Sequence, residues 1–83
     1  MKGFLYILRS TVNQRYYIGS TNDIARRLAE HNAGESKSTR FIRPLALVYH
    51  QEYPTPREAR QAEYRLKKLK SRRLIEELIN MRP

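Results

Sequence analysis

The densest chemistry in this chain is cationic. Arg65 to Arg73 (RLKKLKSRR) places six basic side chains in nine residues with no acid among them. Such a stripe attracts polyanions, and every phosphate it neutralises adds a salt-dependent increment of affinity. Nucleic acid is the commonest polyanion in a cell, and a basic stripe is its expected electrostatic footprint. Lys67 and Lys70 are the contacts expected from this run, although a solvated helix face would carry the same charge. Other groups are sparser. Arg27 and His31 are four apart, so on a helix they project from one side; alone they also fit a solvated face. Tyr6 and Tyr17 supply two phenols, which could equally pack on a sheet. Glu63 supplies a carboxylate, and Lys67 four residues on offers it a surface ion pair worth about 0.3–0.5 kcal/mol. With no cysteine, thiolate zinc chemistry and disulfide stapling are excluded.

These groups need elements to hold them. Phe4–Leu8 and Arg15–Gly19 are short runs of β-formers across a polar stretch, which reads as a β-hairpin. Pairing Tyr6 with Tyr17 puts Leu8 opposite Arg15 and the turn at Ser10 to Asn13. Side chains alternate along a strand, so both phenols then share one face. Gly19 is expected to end the second strand where a side chain would obstruct close backbone approach. A helix follows, capped by Asn22 or Asp23, with Ile24, Ala25 and Leu28 as its apolar stripe and Gly34 at its left-handed end. Arg26 and Glu30 read as a surface pair on it. Residues 34–44 are polar, basic and irregular, an exposed loop. Leu45–His50, extending toward Tyr53, reads as a third strand after Pro44.

Thr55-Pro56-Arg57-Glu58 is the clearest helix start, with a cap, a proline at the first position and a capping-box glutamate. Ala59, Ala62, Leu66 and Leu69 recur at helical spacing and are expected to face the core. Glu63 falls roughly 80° from the centre of that stripe, on its flank. Ser71 caps a last helix with Leu74, Ile75, Leu78 and Ile79 as its apolar residues. The order β-β-α-β-α-α predicts an α+β fold, a small antiparallel or mixed sheet with helices packed on it.

The 83 residues carry 17 Lys+Arg against 8 Asp+Glu, a formal charge of +9, and 40% apolar side chains. That is enough for one folded domain, 1–83, and too apolar for a disordered basic tail. No apolar run approaches the roughly 20 residues that cross a bilayer. The first residues lack a long apolar segment before a small-residue cleavage site, so a secretory signal is not expected. The basic segment also lacks the bulky aromatic face of a membrane-surface helix. A cytoplasmic protein without membrane partners is the expectation.

Taken in order, Phe4-Leu5-Tyr6, Tyr17-Ile18-Gly19, the helix with Arg27 and His31, the loop with Lys37, Thr39-Arg40 and Arg43-Pro44, and Glu63 within Arg60-Gln61-Ala62-Glu63 resemble the GIY-YIG nuclease superfamily, in its small stand-alone bacterial form. Tyr-Ile-Gly alone is weak; the ordered set at this spacing across nearly the whole chain is specific. The resemblance implies a three-stranded antiparallel sheet flanked by helices and a metal-dependent endonuclease that hydrolyses DNA phosphodiesters, with RNA also possible. It implies that Glu63 holds a single Mg²⁺ or Mn²⁺, that Arg27 pairs with phosphate oxygens, that Tyr6 and Tyr17 orient or deprotonate the attacking water, and that His31 relays a proton. A free phenol titrates at about 10, so a nearby cation must lower it before it serves as a base. The loop residues Lys37, Thr39, Arg40 and Arg43 are expected to contact nucleic acid or to structure the loop. Phe4-Leu5 stand where the family has Gly-Ile, and Asn80 is the downstream candidate for an asparagine that many members carry after the glutamate. With no second domain for reading sequence, selection by DNA structure is expected, alone or through a homodimer or accessory protein, in repair, recombination or clean-up of nucleic acid. A non-catalytic nucleic-acid-binding module of the same fold, or a basic RNA- or ribosome-associated protein, are the alternatives.

Overall fold

In the computed structural model, which describes residues 1–81, four consecutive residues of the first strand, Leu5 to Leu8, are buried. A strand with no polar face must be covered on both sides, and this fold does so. β1 (Gly3–Ser10) is the centre of a three-stranded sheet, with β2 (Tyr16–Thr21) on one side and β3 (Leu45–Tyr53) on the other, both antiparallel to it. Between them lie α1 (Ile24–Asn32) and a short 3-10 turn (Arg40–Ile42), and after them α2 (Pro56–Leu69) and α3 (Arg72–Asn80). The predicted order and the antiparallel α+β architecture are observed. The expected domain extends two residues beyond those described.

Period-2 alternation divides the core. Leu5, Ile7 and Ile18 point to one face and pack with Ala62 and Leu66 of α2 and Ile75 of α3. Tyr6, Leu8 and Leu45 point to the other, with Tyr17, Leu28 of α1, Ile42 and Leu47 around them. The sheet is therefore the middle of three layers. A bulge between Ile7 and Leu8 shifts the register against β3.

The hairpin register differs from the expected one. Tyr6 faces Gly19 and Leu8 faces Tyr17. The connection is Thr11 to Arg15 rather than Ser10 to Asn13, because side chains build it. The buried Ser10 hydroxyl accepts from the Val12 and Asn13 amides at 3.1 and 3.2 Å, and Asn13 Oδ1 accepts from the Arg15 amide at 3.0 Å. Gln14 takes a left-handed φ of 63° to close the loop. The slip is two residues, so every side chain keeps its face and the two tyrosines still share one.

Helix starts follow their caps. Asp23 accepts from the Arg26 amide, Thr55 from Glu58 and Ser71 from Leu74, each satisfying an amide that the first turn leaves unpaired. Two expectations fail here. β2 runs on through Gly19 to Thr21. Leu69 is exposed, because the chain turns at Lys70, in a left-handed conformation, before that last turn of α2 meets the sheet.

Candidate active site

The candidate residues gather at one edge of the sheet. β2 is an edge strand, and its side chains alternate, so Tyr17 and Gly19 face α1 whereas Ser20 faces α2. On the α1 side, the Tyr6 ring lies across Gly19; a Cβ added there would collide with the Tyr6 ring and hydroxyl. Glycine is thus needed at the middle of the strand, for the close approach foreseen, and not at its end. The Tyr6 and Tyr17 rings are 6.4 Å apart, and His31 from α1 sits edge-on to Tyr17 at 4.9 Å. On the α2 side, Ser20 donates to Glu63 Oε1 at 2.6 Å, and Lys67 Nζ is 2.7 Å from Glu63 Oε2. The Lys67 ammonium also lies 5.7 Å from the centre of the Tyr17 ring. The carboxylate and the phenols therefore come from opposite faces and meet around β2.

Behind the tyrosines is a closed polar relay. His31 is fully buried. Its Nε2 is 3.0 Å from the Tyr6 hydroxyl and its Nδ1 is 2.7 Å from Thr39 Oγ1. Burial and the Tyr17 phenol push the Tyr6 hydroxyl up to about 12, and the Arg27 guanidinium beside it offsets only part of this rise. Burial also lowers the His31 imidazole below its ordinary value, and the Arg27 charge adds to that fall. Both groups are therefore neutral at pH 7. Arg27 only donates, so a consistent network has Tyr6 accepting from Arg27 and donating to His31 Nε2, with Nδ1–H donating to Thr39. Of the two uses expected for a phenol here, burial favours orienting over deprotonating for Tyr6, and among the described residues the sealed His31 ring is in hydrogen-bond contact with Tyr6 and Thr39 only.

Arg27 is partly exposed and held by Glu30 at 3.1 Å. Burial works against its charge, but hydrogen bonding to Glu30 and to Tyr6 outweighs this and raises its pKa further. Glu30 was expected to serve Arg26; that contact is longer, 3.9 Å.

The basic loop divides. Thr39, expected either to contact nucleic acid or to structure the loop, is fully buried against His31, which leaves it the second role. Arg40 donates to the Gly34 carbonyl, and Arg43 to the Arg40 and Asn32 carbonyls, so both structure the loop while remaining exposed; Lys37 is exposed. Lys70 lines a hollow with Tyr17, Lys67 and Arg72 next to the site. Asn80 lies elsewhere, lining a hollow with Arg9 and Glu76. Ser20 and Glu30 were missed. Ser20 follows the Tyr-Ile-Gly run directly, and alternation alone would have turned it toward the next layer.

Among the described residues no group of three or more His, Cys, Asp or Glu could cage a metal. Glu63 alone offers a hard carboxylate oxygen, with the Ser20 hydroxyl beside it. That donor set fits a single hydrated Mg²⁺ or Mn²⁺, which retains most of its waters, provided Lys67 yields Oε2.

The arrangement defines an α+β domain whose tyrosine hairpin, arginine helix and later glutamate converge on one sheet edge. The GIY-YIG catalytic domain family matches residues 2–76, and the chain belongs to that family. It is 45% identical over 78 residues to a UPF0213 protein of Bacillus velezensis, covering 89% of this chain and 78% of that one. The UPF0213 protein YazA of Bacillus subtilis is 42% identical over 67 residues, 80% of this chain and 67% of the relative. The solution NMR structure of a UPF0213 protein from Bacillus halodurans superposes with a TM-score of 0.61 at 36% identity, covering 99% of this chain and 86% of that one. The family is one of nuclease domains, and no helix among the described residues is long and apolar enough to cross a membrane.

Proposed function

We propose that this protein is a metal-dependent endonuclease that hydrolyses phosphodiesters in DNA, selecting structure rather than sequence, and that it acts as one domain in the cytoplasm. One observation carries the reading: Tyr6, Tyr17, Arg27, His31 and Glu63, from four elements, form one connected set at the β2 edge. Tyr17 is the half-buried phenol of the pair and is placed to orient the attacking water. Tyr6, kept neutral, steadies Arg27, whose free donors pair with phosphate oxygens. His31 and Thr39 hold Tyr6 in place. Glu63 would hold the ion, with Ser20 fixing its carboxylate; a divalent ion there offsets charge on the transferring phosphate. Lys67, released from Glu63, sits where it can face phosphate charge or Tyr17. Water attacks phosphorus, the P–O ester bond breaks, and the leaving oxygen takes a proton.

Cleavage of labelled duplex, flap and single-stranded DNA and of RNA, with Mg²⁺ or with chelator, tests this. Wild type cuts only with metal, and Glu63→Ala does not cut. Equal cutting by both proteins would end the role given to Glu63. A binding module of the same fold is favoured by one observation, the engagement of both Glu63 oxygens by Ser20 and Lys67. In that case binding is salt-sensitive, no product forms with any metal, and Tyr17→Phe has no effect.

A further inference from the structure

The outer face of α2 carries a group that the site above does not use. Arg57, Arg60, Tyr64 and Lys68 are spaced at i, i+3, i+7 and i+11, so they form one stripe covering roughly 16 Å of helix. Tyr64 is 68% exposed, although its ring is one of the larger apolar surfaces in the chain. Lys68 Nζ lies 6.0 Å from the ring centre. Arg57, Arg60, Tyr64 and Lys67 line a hollow of about 810 Å³ whose wall includes Glu63. Arg60 also borders the neighbouring hollow lined by Ser20 and Arg26. Among the described residues, Arg57, Arg60 and Lys68 form no ion pair with an acid. Glu63, the acid of the hollow, is committed to Ser20 and Lys67. A solvated helix face accounts for the cations but not for an exposed aromatic ring framed by unneutralised guanidinium groups.

We propose that this face binds a single-stranded segment of nucleic acid, an unpaired base stacking on Tyr64 while Arg57 and Arg60 hold the flanking phosphates. A ring accepts any base through its π-face, and nearby cations track the backbone, which is how sequence-tolerant single-strand sites work. A duplex keeps its bases stacked inside and offers Tyr64 nothing. The proposal rests on the nucleic-acid reading above and deepens it: the strand reaching the β2 edge enters unpaired along α2.

The test uses binding alone, in chelator and on the Glu63→Gln background, so that no cleavage occurs. Fluorescence anisotropy follows a labelled single-stranded oligonucleotide and a blunt duplex; 2-aminopurine in the single strand reports stacking. Circular dichroism checks that each variant is folded. Tyr64→Ala weakens single-strand binding about ten- to a hundred-fold, abolishes the 2-aminopurine quench and leaves duplex binding unchanged, whereas Tyr64→Phe stays within about two-fold of the parent. Arg57→Ala with Arg60→Ala lowers the slope of log affinity against log salt by about 1.4 for the single strand. Equal loss on duplex and single strand, an unchanged quench in Tyr64→Ala, or an unchanged salt slope would overturn the assignment. Failure here leaves the nuclease reading standing, and absence of cleavage in the earlier assay leaves this binding result standing.

Discussion

Tyr6 and Tyr17 are the same residue type on the same sheet face, yet their surroundings separate their uses. Tyr6 is sealed, hydrogen-bonded to His31 and held up to about 12; Tyr17 is half-buried beneath the Lys67 ammonium. In a spectrophotometric titration of the six tyrosines, one phenol should therefore ionise last, near the end of the alkaline range, and vanish in Tyr6→Phe. The unfolded chain loses that proton at about 10, so this residue makes stability fall as pH rises from there toward 12. His31 acts in the opposite range. Its folded pKa is depressed, so the unfolded chain takes up a proton that the folded one refuses. Stability is then lost as pH falls below about 6.5, the ordinary histidine value, and Thr39→Val should add to the effect. That change leaves Nδ1 of a buried ring unpaired and should cost about 1–3 kcal/mol in urea unfolding. Gly19→Ala drives a methyl into the Tyr6 ring; a loss of about 1–3 kcal/mol is expected, measured in the same unfolding experiment.

Elements were legible where their own residues specify them. Thr55-Pro56-Arg57-Glu58 starts α2 because a cap, a fixed φ and a first-turn acid act within four residues; Thr55 Oγ1 takes the Glu58 amide at 3.2 Å and donates to the Glu58 carboxylate at 3.1 Å. Thr55→Ala should cost about 0.5–2 kcal/mol, read as a lower thermal midpoint, and because Glu63 rides on this helix cleavage should fall with it. The hairpin was legible as a hairpin but not in register. Alternation alone does not choose between pairing Tyr6 with Tyr17 and with Gly19; the register is fixed by Ser10 and Asn13 bonding to loop amides and by the need for Gly19 under Tyr6. Leu69 keeps the apolar spacing of α2 yet is exposed, because spacing reports a helix face and not where the neighbouring layer stops. The burial of Thr39 is not legible, because a polar residue in a basic loop gives no sign that it meets a histidine eight residues earlier.

At the scale of the molecule, β1 buried on both faces forces three layers, and three layers leave β2 as the edge around which the site is built. An edge strand is not enclosed by a further strand, so groups of both layers reach the same border of the sheet there. The formal charge of +9 should make binding steeply salt-dependent, with affinity falling by orders of magnitude between about 50 and 200 mM salt if six or more phosphates are contacted. A shallow dependence in titrations over that range would mean that the cations of α2 and the 37–43 loop do not contact phosphates.

Alternation along the hairpin, helical spacing in α1 and α2 and the local caps are properties of neighbouring residues. The chain by itself therefore determined the order of elements, the shared face of Tyr6 and Tyr17, and the common side of Arg27 and His31. The i,i+4 pair of Glu63 with Lys67 was legible in the same way; that Glu63 comes over the β2 edge to Ser20, and that Thr39 closes the histidine relay, was not. Those contacts join residues 43 and 8 positions apart from Ser20 and His31; they arise only when separate layers dock, and it is docking that desolvates Tyr6 and His31 and so sets which of these groups can hold a proton.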